Sequence, residues 1–92
     1  MEIELTKRFL AAARRLPVEE LAVVDSALAS LARTSGRPHQ HAGKSVRVLR
    51  KDVFELRASL GSRIIFVRAG AVLRVDFVGD HGAVPDDLRN RG

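Results

Sequence analysis

An α+β fold is predicted by the order of hydrophobic patterns along the 92 residues: a short apolar start, two segments with helical spacing, then a series of strand-like runs separated by turn residues. Helices and most strands are segregated along the chain, unlike the regular alternation of a doubly wound α/β sheet. This length makes one small domain, 1–92, with a thin core. Hydrophobic residues are 46% of the chain but only four are aromatic, all Phe, so Leu, Val, Ile and Ala must build the interior. Such a core suits a sheet covered by helices.

The elements follow in order. "IEL" at 3–5 is long enough only for a short strand, and Thr6 stands where an N-cap opens a helix. In "TKRFLAAARRLP", Phe9, Ala13 and Leu16 recur at helical spacing, while Lys7, Arg8, Arg14 and Arg15 form a solvated face. Pro17 ends this helix and pre-sets the first turn of the next, where Glu19 and Glu20 meet the positive end of the helix dipole. In "VEELAVVDSALASLART" the stripe Leu21, Val24, Leu28 and Leu31 packs on the first helix and on a sheet, completing a helical hairpin. The segment 35–43, "SGRPHQHAG", has no aliphatic residue larger than Ala and reads as a loop. Strands are predicted at 45–49, 53–58, 62–69 and 71–79, the last two joined by a tight Ala69-Gly70 hairpin connection. The whole reads as an N-terminal strand, a helical hairpin and an antiparallel β-meander.

Strand alternation sorts the side chains. Phe54, Leu56, Ile64, Phe66, Leu73, Val75 and Phe77 are expected under the helices. Glu55, Arg57, Arg63, Ile65, Val67, Arg74, Asp76 and Val78 are expected on the uncovered face. There the sequence allows two readings: a solvated surface with cross-strand pairs from Glu55 or Asp76 to Arg, or a concave, Arg-bearing surface that receives RNA.

Composition narrows the classes. With no cysteine, disulfides and thiolate metal sites are excluded. No apolar run approaches membrane-helix length and "MEIEL" is no signal peptide, so the expectation is a soluble, cytoplasmic protein without a membrane partner. The net charge of +5 comes from 16 cations, of which 13 are Arg. Arg grips phosphate oxygens in pairs and stacks on bases, which points to nucleic acid or an acidic protein; a GC-rich codon bias is the plainer source of the same composition. The stretch "RPHQHAGKSVRVLR" carries Arg37, Lys44, Arg47 and Arg50, a cationic run able to hold RNA phosphates. His39 and His41 form an H-x-H pair that lacks a third metal ligand, so solvated loop histidines and no metal are expected. No cofactor motif or Ser/His/Asp arrangement is present.

The motif order resembles a known family. "ELR" at 55–57 preceded by Phe54, "RIIF" at 63–66 and "FVGDHGAVPDDL" at 77–88, with Pro85 opening a short final helix, are similar to the RelE/ParE superfamily of bacterial toxins, and within it to the HigB-like branch. The resemblance spans nearly the whole chain. It implies the toxin of a type II toxin–antitoxin pair, a ribosome-dependent endoribonuclease that cleaves mRNA without a metal. Arg63 then matches the family's phosphate-stabilising arginine, Arg57 a flanking cation, and His81 an acid or charge stabiliser. Gly79 and Asp80 replace the branch's lysine pair, and Glu55 stands where some relatives carry a catalytic lysine; Glu55 or Asp80 would serve as base. Arg37, Lys44, Arg47, Arg50 and Arg74 would bind RNA. The implied partners are the ribosome, mRNA and a helix-turn-helix antitoxin. The same resemblance allows a second reading, a non-catalytic ParE-like topoisomerase inhibitor or a decayed toxin that only binds its antitoxin.

Overall fold

A computed structural model describes residues 2–34, 46–80 and 82. Its elements are β1 (Glu2–Leu5), α1 (Lys7–Ala13), α2 (Val18–Thr34), β2 (Val46–Arg50), β3 (Val53–Arg57), β4 (Arg63–Ala69) and β5 (Val72–Gly79). The strands form one sheet in the order β1-β5-β4-β3-β2. β2 to β5 make the expected antiparallel meander, and β1 joins β5 in parallel with Ile3 opposite Leu73, so the sheet is mixed. The loop at 35–43 and the C-terminal helix after Pro85 lie outside the described residues.

Local chemistry accounts for the helix ends. Thr6 has extended backbone (φ −78°, ψ 161°), and its Oγ1 accepts the Phe9 N–H at 3.1 Å, the N-cap arrangement. α1 stops at Ala13, earlier than the stripe to Leu16 predicts; Leu16 still packs on the core from the turn that follows. α2 spans the predicted 18–34, with the Leu21 N–H donating to the Pro17 carbonyl at 2.9 Å. Phe9 and Ala13 from α1 and Val24, Ala27 and Leu31 from α2 bury against Phe54, Leu56, Ile64, Phe66, Leu73 and Val75. Phe54 and Phe66, opposite each other in the ladder, stack with centroids 5.2 Å apart.

Two expectations about the faces are corrected. Strict alternation puts Phe77 in the core and Val78 outside; the structure reverses both. Ile65 pairs with Phe77 while the next residue, Phe66, pairs with Val75, so Asp76 is an extra residue in β5. Such a bulge turns the strand by one position. Val78 therefore enters the core and Phe77 lies opposite Ile65 on the other face. The opposite face is also not the open surface expected: Ile65 is fully buried and Glu55 is only 7% exposed.

Candidate functional site

The ladder registers place Arg47, Glu55, Ile65 and Phe77 in one row across β2, β3, β4 and β5, on the face away from the helices. The next row, toward the β3-β4 loop, sets Arg57 directly opposite Arg63, with Gly79 beside them. Directly opposed residues hold their Cβ atoms about 4.5–5.5 Å apart, and like charges in that position repel. The two arginines singled out by sequence are thus neighbours at an electrostatic cost.

Arg63 is compensated on two sides. Its Nε lies 3.9 Å from Glu55 Oε1, and the same carboxylate oxygen is 3.3 Å from Arg47 Nη2. Arg63 Nη1 also donates to the carbonyls of Ser59 at 2.7 Å, Leu60 at 3.2 Å and Ser62 at 3.4 Å. Its side chain is only 12% exposed. A guanidinium held by fixed oxygens on both sides has little rotamer freedom left. Arg57 is the contrast: it is exposed, and its side chain makes no ion pair or hydrogen bond with the described residues.

The loop at 58–62 is itself tied down. The Ala58 and Ser59 N–H groups donate to the Ser62 carbonyl at 3.0 and 3.3 Å. Ser59 Oγ accepts the N–H groups of Gly61 at 3.2 Å and Ser62 at 3.1 Å. Both hydroxyls, Ser59 at 2.5 Å and Ser62 at 2.6 Å, then donate to one oxygen of Glu20 in the first turn of α2. The Ser59 bond first, then that from Ser62, hold the Glu20 carboxyl below its ordinary value of 4.5, against the smaller opposing effect of burial. Sequence reasoning assigned Glu20 only to the helix dipole. The available signal was a pair of hydroxyl residues flanking a hairpin loop.

The other candidates scatter. Arg47 joins the site through Glu55, whereas Arg74 pairs with Glu4 of β1 at 2.9 Å. Arg50 ends β2, the edge strand, and is exposed. Asp80 follows β5 and is exposed, next to the Gly79 that faces Arg63. His81, Arg37, Lys44, His39 and His41 lie outside the described residues. Arg8, expected on a solvated face, instead pairs with Asp76 at 3.2 Å and stacks over the Phe77 ring at 4.9 Å, closing the β5 end of the central row. Among the described residues there is no cluster of three or more potential metal ligands, and no helix is long and apolar enough to cross a membrane.

A five-stranded mixed sheet backed by two helices, with paired arginines at one hairpin end of its other face, defines a class of small α+β protein. The chain has the fold of the RelE toxins. It resembles the toxin–antitoxin complex RelB-RelE from Methanococcus jannaschii with a TM-score of 0.74 and 9% identity, over 92% of this chain and 98% of that one. The RelBE2 complex of Mycobacterium tuberculosis matches with a TM-score of 0.66 at 20% identity over 87% and 90% of the two chains, and the isolated RelE toxin of E. coli with 0.66 at 18% over 98% and 96%. The likeness is one of fold and does not single out the HigB-like branch. No known protein-family model matches the sequence, and no curated protein does.

Proposed function

We propose that this protein is the toxin of a toxin–antitoxin pair and cleaves mRNA on the ribosome. The observation that carries the reading is the Arg57–Arg63 pair, two cations directly opposed on a RelE-like sheet, one braced and one exposed. Arg63 is answered by Glu55 and the loop carbonyls, whereas Arg57 has no partner among the described residues, and a scissile phosphate above the pair is an anion that both could hold. In the proposed reaction the ribose 2′-oxygen attacks the adjacent phosphorus while the P–O5′ bond breaks. The products are a 2′,3′-cyclic phosphate and a 5′-hydroxyl end. Arg63 and Arg57 stabilise the charge that builds on the non-bridging oxygens, a base takes the 2′-proton, and an acid protonates the departing 5′-oxygen.

Asp80 and His81, beyond the end of β5, are the acid–base candidates. Glu55 fits an orienting role better than that of a base, because its carboxylate is nearly buried between Arg47 and Arg63. Arg47 would add a phosphate contact at the rim. The partner is a cognate antitoxin: the fold neighbours include toxin–antitoxin complexes, and charge complementarity suits a cationic face of this kind to an acidic or apolar covering segment. A non-catalytic binder of the same fold is the second reading, favoured by the Glu55 carboxylate placed where it neutralises Arg63.

Primer extension on a defined message, with and without translating ribosomes, tests the proposal. The expected result is new ribosome-dependent 5′ ends that vanish in Arg63→Ala and fall on the order of 10²–10³-fold in Arg57→Ala. Intact message under a dose that still arrests growth would transfer the protein to the non-catalytic class.

A further inference from the structure

We infer that Glu20, on the helical layer, is a positioning residue for Arg63. One continuous set of contacts joins the two residues. Glu20 accepts both serine hydroxyls on a single oxygen, so Ser59 and Ser62 are brought to the same point at the start of α2. Ser62 is 2% exposed, so its hydroxyl needs a partner inside the protein, and Glu20 is that partner. Ser59 Oγ meanwhile gathers the Gly61 and Ser62 N–H groups, which shapes the loop backbone. The carbonyls of that shaped loop, Ser59, Leu60 and Ser62, are the ones that receive Arg63 Nη1. Glu20 therefore acts on Arg63 without touching it, fixing the loop whose oxygens aim the guanidinium.

The geometry also says why a clamp is needed. Gly61 has open space around the position of a Cβ, and Leu60 is 83% exposed, so little packing holds the loop tip between the buried Ala58 and Ser62. Without Glu20, the opposed charge of Arg57 would push on Arg63, and the long contact to Glu55 at 3.9 Å and a loop held only by its own internal hydrogen bonds would be left to resist. A carboxylate is suited to the clamp, because an ionised acceptor strengthens both hydroxyl bonds. Glutamine keeps one acceptor oxygen on a side chain of the same length, and alanine keeps none.

As a catalytic statement this rests on the proposed function, but the positioning itself is open to a separate measurement. In the ¹⁵N-labelled protein, the Arg63 Nε–H signal is identified by its loss in Arg63→Lys, and its hydrogen exchange is compared in Glu20→Ala, Glu20→Gln and Ser62→Ala. The expected result is exchange about tenfold faster or more in Glu20→Ala, with native dispersion of the backbone spectrum, and near wild-type exchange in Glu20→Gln. Unchanged exchange in a folded Glu20→Ala protein overturns the inference. If Glu20→Ala does not fold, Ser62→Ala, which removes a hydroxyl bonded to Glu20 and leaves the Ser59 bonds within the loop in place, decides it by the same signal. In the cleavage assay, Glu20→Ala is expected to lower kcat by about 10²-fold with KM within about threefold, since a misplaced group costs turnover rather than binding, and Glu20→Gln is expected to recover most of it. Full kcat in a variant whose Arg63 exchange has accelerated overturns the catalytic part alone. Absence of cleavage by the wild type removes the nuclease reading, and the exchange result still decides the clamp.

Discussion

Arg57 and Arg63 lie in the same row of the sheet, yet substitution separates them. Arg63 gives one nitrogen to three loop carbonyls, so Arg63→Ala is expected to cost about 1–3 kcal/mol in urea unfolding, the range for leaving partly buried acceptors without a donor. Arg57→Ala, at an exposed side chain without a described partner, is expected to change stability by less than about 0.5 kcal/mol. Equal losses in the two variants would contradict the assignment of one braced and one exposed cation. Glu20 adds a pH dependence. Its carboxyl is held below its ordinary 4.5 in the folded protein, so folding favours the ionised form. That contribution is complete above pH about 4.5 and disappears as pH falls through the lower folded value. Acid unfolding of Glu20→Gln is expected to lack this component, so the stability gap between variant and wild type narrows below pH about 4.5 and stays constant near neutrality. A gap that is flat throughout would remove the two-serine contact as its cause. The opposition of Arg57 and Arg63 was legible in the sequence, because both flank the same short connection. The Glu20 contact was not, since it joins residues 39 and 42 positions apart that only packing brings together.

Among the elements, α2 was readable to its ends because its apolar stripe, preceding proline and first-turn carboxylates all agree. β5 was harder. Leu73, Val75, Phe77 and Val78 support two different period-2 assignments, and sequence contains no reason to switch between them midway. The switch lies against α1 and its N-cap residue. The Thr6 N–H takes the Val75 carbonyl at 3.1 Å, and Arg8 engages Asp76 and Phe77, so the extra residue is held by a helix far away in sequence. The consequence is testable by substitution at adjacent positions. Val78→Asp puts an unpaired charge into the core and is expected to cost about 3–5 kcal/mol, enough to abolish a cooperative thermal transition in so small a domain. Phe77→Ser is expected to fold. The reverse order of stabilities in thermal unfolding would restore strict alternation and exclude the bulge.

For the molecule as a whole, the +5 charge is not spread evenly in its effect. Arg74, Arg8 and Arg68 have carboxylate partners, Glu4, Asp76 and Asp52, so part of the positive surface is already answered within the fold. Arg57 is not. Binding of a short single-stranded RNA is expected to weaken as salt rises, with a logarithmic slope near −0.7 for each phosphate neutralised. Arg57→Ala is expected to reduce that slope by about one contact and Arg74→Ala to leave it unchanged. Identical slopes for the two variants would place the phosphate path elsewhere on the surface.

The parallel pairing of β1 with β5 has a kinetic consequence. Glu2 meets Val72, and Thr6 reaches Asp76 across a separation of 70 residues. Contacts this distant are slow to form, because a long loop must close before they repay its entropy. During synthesis, the first strand has no partner until β5 has left the exit tunnel, by which time both arginines of the site have been made. A chain whose proposed target is the translating ribosome thus acquires its completed sheet only after the machine making it has passed Arg57 and Arg63.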